Sequence, residues 1–137
     1  MGHATKYARK RLLRQVFERS ITLKKGRRMR RKLFVSQPMR ARTKKAIKEE
    51  RAFAVSAVEK FLGEKVDVID SILPDCVPRN AIKALGKSIS LMGDADTVCF
   101  IHGWKNARGC IVERGVAEMY GKPIIEVKEN GDCFFGH

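Results

Sequence analysis

The sequence is poor in the residues that most often build an obvious site. Its three histidines, His3, His102 and His137, lie far apart, and its four cysteines, Cys76, Cys99, Cys110 and Cys133, include no CxxC pair. Neither a zinc site nor a disulfide framework fits such spacing, so unpaired thiols in a reducing compartment are expected, with no metal and no cofactor. No run of about 18 apolar residues occurs, which excludes a membrane-spanning helix. The amino terminus is basic but lacks the apolar block and small-residue cleavage site of a secretory signal, so a cytoplasmic protein is expected. GxGxxG and Walker A patterns are absent, and dinucleotide and nucleoside-triphosphate enzymes of those types lose support. There is no internal repeat and no low-complexity linker.

Acidic residues are also scarce, 15 against 29 Lys and Arg, for a formal charge of +14. The excess is local. Residues 1 to 32 carry 13 Lys and Arg against one acid, whereas residues 33 to 137 carry 16 against 14. The first 28 residues interleave basic clusters with Tyr7, Leu12, Leu13, Val16, Phe17 and Ile21, a spacing suited to one amphipathic basic helix. Three readings stand side by side: this segment contacts RNA, DNA or an anionic membrane surface; it packs on a partner; or it precedes the working start at Met29. A length of 137 residues suits one core. The expected division is a basic extension over 1–29 and an α/β domain over 30–137.

Within that domain, apolar runs and helical periodicity alternate. Leu33 to Ser36 reads as a first strand, followed by Gln37-Pro38 and a basic turn with Arg40 and Arg42. Thr43 to Leu62 reads as a long helix capped by Thr43, with Ile47, Phe53, Ala54, Ala57, Val58 and Phe61 as its apolar stripe and Gly63 as its stop. Val66 to Asp70 reads as a second strand and Ser71 to Arg79 as a loop, where Asp70 and Asp75 are either polar contacts or turn caps. Asn80 to Met92 is the next helix, with Ile82, Leu85, Ile89 and Met92 facing the sheet. Thr97 to His102 is a short apolar run suited to a parallel strand buried on both faces. Gly103 to Gly109 is a loop. A helix follows from Cys110, with Ile111, Val112, Val116, Met119 and Tyr120 at helical spacing, and Gly121 and Pro123 end it. Ile124 to Val127 and Cys133 to Phe135 close the chain as strands around a Lys128-Glu-Asn-Gly-Asp turn.

This order predicts a doubly wound, flavodoxin- or Rossmann-like domain with a mostly parallel sheet of four to five strands flanked by helices. Ligands of such sheets bind outside the carboxyl ends of the strands. Glu113 then falls in the first turn of a helix whose amino end faces the expected pocket, where free N–H groups and the helix dipole favour the charged carboxylate. It is either a nucleophile or an ordinary first-turn glutamate. Arg40 at the same edge is a phosphate partner or a solvated side chain. Trp104 either stacks on a base or covers the core.

Asp96 before its strand, Gly103-Trp104, Arg108-Gly109, Glu113, Ala117 and Gly121-Lys122-Pro123 together resemble the nucleoside 2-deoxyribosyltransferase superfamily, above all its small bacterial and phage branch. Lys32-Leu-Phe-Val-Ser-Gln-Pro-Met39 is similar to the first strand and Ser-Gly-Pro-Met turn of that branch, so the likeness covers about residues 30 to 128. The resemblance implies cleavage of the N-glycosidic bond of a 2′-deoxynucleoside or its monophosphate. A glutamate attacks the anomeric carbon, and water or another base resolves the sugar ester. By motif position that glutamate is Glu113, and the implied substrate contacts are Ser36, Pro38, Met39, Arg40, Asp70, Ser88, Trp104, Arg108 and Gly109. Gly109 would allow close backbone approach, and Gly115 and Ala117 tight packing. A homo-oligomer completing the site from a neighbouring subunit is also implied.

The chain departs from the family pattern at three places. Ser88 stands where the family has an acid eight positions ahead of Asp96, and a serine cannot donate a proton as a carboxyl does near neutral pH. Ala107 stands where transferases have an aspartate and monophosphate hydrolases a phosphate-binding serine. Ser36-Gln37 replaces the usual glycine of the first turn. Two further functions stay open: a nucleotide-binding module without catalysis, and nucleic-acid binding through residues 1 to 32.

Overall fold

The computed structural model describes residues 30–72 and 80–136. The basic extension over 1–29 and the candidate contact Asp75 lie outside the described residues. The elements are β1 (Arg31–Ser36), α1 (Lys44–Leu62), β2 (Val66–Val68), α2 (Ala81–Met92), β3 (Thr97–Ile101), a short 3-10 turn (Trp104–Asn106), α3 (Arg108–Met119), β4 (Ile124–Val127) and β5 (Cys133–Phe135). They form one five-stranded sheet in the order β2-β1-β3-β4-β5. The first four strands are parallel, and β5 pairs antiparallel with β4. This is the doubly wound, flavodoxin-like order expected from the sequence, in which the chain reverses its direction of winding between β1 and β3. Among the described residues no helix is long and apolar enough to cross a membrane.

Side-chain alternation along the strands divides the core in two. Leu33, Val35, Cys99, Ile101, Ile125 and Val127 face α1, where they meet Ala54 and Val58. Phe34, Val98, Phe100 and Ile124 face the other layer, with Met92 of α2 and Ala117 of α3. All five residues of β3 are buried, as a central strand covered by helices on both faces requires. The same alternation puts Ser36, two residues beyond Phe34, on the α3 side at the carboxyl end of β1.

The element ends are fixed locally. The Thr43 side chain accepts a hydrogen bond from the Ala46 N–H at 3.1 Å, and Gly63 closes α1 in the left-handed region at φ 74°. Asn80 caps α2 by accepting from the Lys83 N–H. Asp96 Oδ2 accepts from the Lys32 N–H at 2.8 Å, tying the start of β3 to β1. The buried Arg31 donates from Nη1 to Thr97 Oγ1 at 2.9 Å.

Several expectations need correction. The second strand ends at Val68 rather than Asp70, and the third at Ile101, leaving His102 exposed. Ile82, Ile111, Val112, Met119 and Tyr120 are exposed, Ile82 and Met119 by more than four-fifths. The inward positions of α3 belong instead to Cys110, Glu113, Arg114 and Ala117. Their spacing of three, four and seven is itself helical, so Ile111, Val112 and Met119 lie on the outer face of this helix, while Val116 packs at the margin of the core. Phe53 is half exposed and lies against Gly131, while Arg51 occupies the buried stripe of α1 with Ile47, Ala54 and Val58. Gly115 has no atom within 4 Å of where a Cβ would stand, so packing does not require glycine there.

A Cβ at Gly63 likewise meets nothing within 4 Å, so substitution there tests backbone conformation alone. Gly63→Ala is expected to lower stability by about 1 kcal/mol through its left-handed φ. Urea denaturation checks this, and an unchanged midpoint would refute it.

Candidate active site

The helix carrying Glu113 begins earlier than its apolar pattern indicates. Gly103, at φ 86°, turns the chain after β3, Ala107 is extended, and α3 starts at Arg108. Glu113 is therefore its sixth residue, in the second turn, beyond the free N–H groups of the helix start. The expectation that helix-end electrostatics hold this carboxylate in its charged form is corrected accordingly. The structure provides a different partner: Ser36 Oγ donates to Glu113 Oε1 at 2.8 Å. Both residues are buried, Ser36 at 1% and Glu113 at 7% exposure. Burial raises the Glu113 carboxyl to about 7, opposed by the Ser36 hydrogen bond and the Arg51 charge. Cys110, one turn earlier, also lies beside Ser36, and burial raises its thiol to about 11, so it is neutral near pH 7.

This pair sits at the carboxyl ends of β1 and β3, the crevice where the winding reverses. On the α1 side of the same strand end, Gln37 is held from three directions. Its Nε2 donates to the Ile47 carbonyl at 3.1 Å and to Glu50 Oε1 at 3.2 Å, and its Oε1 accepts from Arg51 Nε at 2.8 Å. Arg42 pairs with Glu50. Arg51 is 7% exposed, and its Nη2 is buried without a hydrogen-bond partner. Burial lowers the Arg51 pKa, opposed first by Asp70 and also by Cys99 and Glu113.

A second buried arginine serves the fold beside the site. Arg114 donates from Nε to Glu118 at 2.8 Å and pairs with Glu126 Oε2 at 3.1 Å. Its guanidinium lies 4.7 Å from the Trp104 ring centroid and 5.2 Å from that of Phe100. Trp104 Nε1 donates to Glu126 Oε1 at 3.0 Å, and its ring packs on Phe100. A base stacking on the Arg114 face of Trp104 would have to displace a guanidinium.

The remaining predicted contacts distribute as follows. Pro38 lies beside Gly103, and Met39 and Arg40 are exposed in the turn after β1, where Ala41 adopts φ 61°. Asp70 is exposed and accepts from the Ile72 N–H at 3.2 Å, capping the turn after β2. Arg108 is exposed at the start of α3, and a Cβ on Gly109 would stand 3.9 Å from Leu85 of α2, an ordinary contact. Ser88 is half-buried on α2, one turn beyond Leu85. The structure thus joins Ser36 directly to Glu113 and sets Pro38, Met39, Arg40, Asp70, Arg108 and Gly109 on loops or helix starts at the same edge. A groove of about 450 Å³ between Ser56, Glu59, Lys60 and Lys65 opens at the other edge and does not concern Glu113.

Gln37 and Arg51 are absent from the site residues expected from the sequence. Arg51 had a signal, since it falls on the stripe of Ile47, Ala54 and Val58 at spacings of four, three and four. A charge on a buried stripe calls for a partner or a role. Comparison of the chain with protein-family models, curated proteins and solved structures finds no match.

Burial of Glu113 predicts a pH signature in stability. A carboxyl raised from 4.5 to about 7 binds protons on folding, so stability falls as pH rises between those values and levels off above them. The full effect is on the order of 3 kcal/mol. Glu113→Gln should remove this slope, raising the unfolding free energy relative to wild type more at pH 8 than at pH 5. Parallel stability curves for the two proteins would contradict it.

Proposed function

We propose that this chain is a nucleoside or nucleotide N-glycosidic bond hydrolase or deoxyribosyltransferase with Glu113 as nucleophile. The observation that carries the reading is the Ser36–Glu113 hydrogen bond, which fixes a carboxylate at the β1/β3 switch point. The resemblance to the nucleoside 2-deoxyribosyltransferase superfamily supports it from the same residues. In this reading a Glu113 oxygen bonds to the anomeric carbon while the glycosidic C–N bond breaks and the base leaves with the bonding pair. Water or a second base then displaces the carboxylate from the sugar. With Ser36 donating to Oε1, and no other hydrogen bond to Glu113 among the described residues, Oε2 is the oxygen available for attack. Ser88 and Ala107 do not supply a carboxylic acid for the leaving base, so the reading favours bases that leave without strong protonation by the protein.

Separate observations support the proposed assembly and location. Exposed Met119 at the end of α3, Tyr120 just beyond it and Ile82 on α2 support a homo-oligomer that covers them. Cys99, Cys110 and Cys133 are free thiols, which supports a cytoplasmic protein. Met119→Lys should shift the mass measured by light scattering toward that of the monomer. A wild type that already runs as a monomer would exclude the oligomer.

Two alternatives have their own support. Burial of Glu113, which raises its carboxyl to about 7 and disfavours the charged form, suits a nucleotide-binding module without turnover. The 13 basic residues of segment 1–32 suit nucleic-acid contact, which would be salt-sensitive and lost on removing that segment. Mass-spectrometric screening of deoxynucleosides and their monophosphates decides between these functions. The enzymatic reading predicts base release that rises with pH through about 7, as Glu113 ionises, and that Glu113→Ala abolishes while remaining folded. Absence of release from every member of the panel ends that reading. Thermal stabilisation by a nucleotide without turnover selects the binding module.

A further inference from the structure

The face of the sheet that α3 covers carries a row with polar ends. Ser36, Phe100 and Glu126 are register partners across β1, β3 and β4, so they lie side by side at one level. Phe100 belongs to the core shared with α3, and so does Ile124, two residues before Glu126, so all three side chains rise toward this helix. Two strand spacings, about 10 Å, separate the polar ends of the row.

Consecutive residues of α3 take hold of those ends. Glu113 Oε1 accepts from Ser36 Oγ at 2.8 Å, and Arg114 Nη1 pairs with Glu126 Oε2 at 3.1 Å. Successive helical side chains diverge by about 100°, so this pair leaves the helix on two sides and spans the row from end to end. Between the ends, the Arg114 guanidinium lies 5.2 Å from the Phe100 ring centroid. The apolar contact beneath is the fully buried Ala117, whose single methyl interlocks little with the sheet. Rotation of α3 about its own axis is therefore governed by the two polar contacts.

The Arg114 end also ties in the turn that leads into the helix. Glu118 accepts from Arg114 Nε at 2.8 Å, and the Trp104 ring covers the guanidinium at 4.7 Å while its Nε1 donates to Glu126 Oε1 at 3.0 Å. Glu126 thus holds both Arg114 and Trp104. With two carboxylates against one guanidinium, the cluster is not an anion site.

The geometry points to Arg114 and Glu126 as positioning residues for Glu113: their ion pair fixes the roll of α3, and that roll aims the Glu113 carboxyl at Ser36 and the crevice. The functional meaning rests on the reading of Glu113 as nucleophile. Neither residue has to touch substrate.

Urea unfolding of the full chain tests the clamp without substrate, in wild type, Ser36→Ala, Glu126→Gln and the double variant. Glu126→Gln keeps an acceptor for Trp104 and removes the charge that holds Arg114. Independent contacts about 10 Å apart contribute additively, whereas two contacts that fix one rotation do not. Once either is gone the other holds a loosened helix, so the double variant should lose less stability than the sum of the two single losses. In base release, Glu126→Gln should lower kcat roughly tenfold or more with KM within about twofold of wild type, and should add little in the Ser36→Ala background. Additive stability losses overturn the proposal, and so does a kcat that Glu126→Gln leaves unchanged. Should Ser36→Ala not fold, the carboxyl carbon signal of Glu113 decides: it should shift in Glu126→Gln, and an unmoved signal overturns the proposal. Failure of the enzymatic reading looks different: wild type releases no base from any nucleotide while the stability losses remain non-additive.

Discussion

A single hydrogen bond between Ser36 and Glu113 connects the first strand to the helix that follows the third, and it does so at the edge where the sheet changes its winding. Its two ends are 77 residues apart in the chain. The bond can form only if β1 and β3 are parallel neighbours and α3 packs on the Phe34 face. The parallel register of Leu33 with Thr97 and Ser36 with Phe100 meets the first condition. Burial of Ala117 against Phe34, Val98 and Phe100 meets the second. The position of the carboxyl group is thus a consequence of core packing.

Around that bond the polar groups are arranged so that burial is compensated on some atoms and left open on others. Gln37 has both ends of its amide satisfied, and Arg114 is enclosed by two carboxylates and two aromatic rings. Glu113 and Arg51 each keep part of their bonding capacity uncommitted among the described residues. Fully paired buried groups specify a structure, whereas incompletely paired ones mark a place where a proton, a water or a ligand completes the set. Glu113 and Arg51 lie at the same strand end, while Ser71 Oγ, in the loop after β2, is another buried polar atom without a hydrogen-bond partner among the described residues.

Much of the scaffold was legible because strand and helix signals agreed with their neighbours. Short β-branched runs bounded by Gly or Pro gave the strands, and Thr43, Asn80 and Gly63 marked helix ends by side-chain capping or a left-handed turn. Glu113 and Ser36 were both expected as site residues, but their contact was not, since no local pattern encodes a pairing across the sheet. The face of α3 was misread because its inward positions hold Glu113 and Arg114, polar residues tolerated in the core through partners on other elements. Counting apolar residues selects the wrong side of such a helix. Arg51 was missed for the converse reason: it sits inside an otherwise apolar stripe, and the stripe alone does not reveal that Gln37 receives it.

The most direct test of Glu113 as nucleophile is peptide mapping of the protein after acid quench during incubation with a deoxynucleoside monophosphate. A deoxyribosyl ester on the peptide containing Glu113, absent from Glu113→Gln, is the result predicted. Base release that proceeds with no sugar on that peptide would contradict the account.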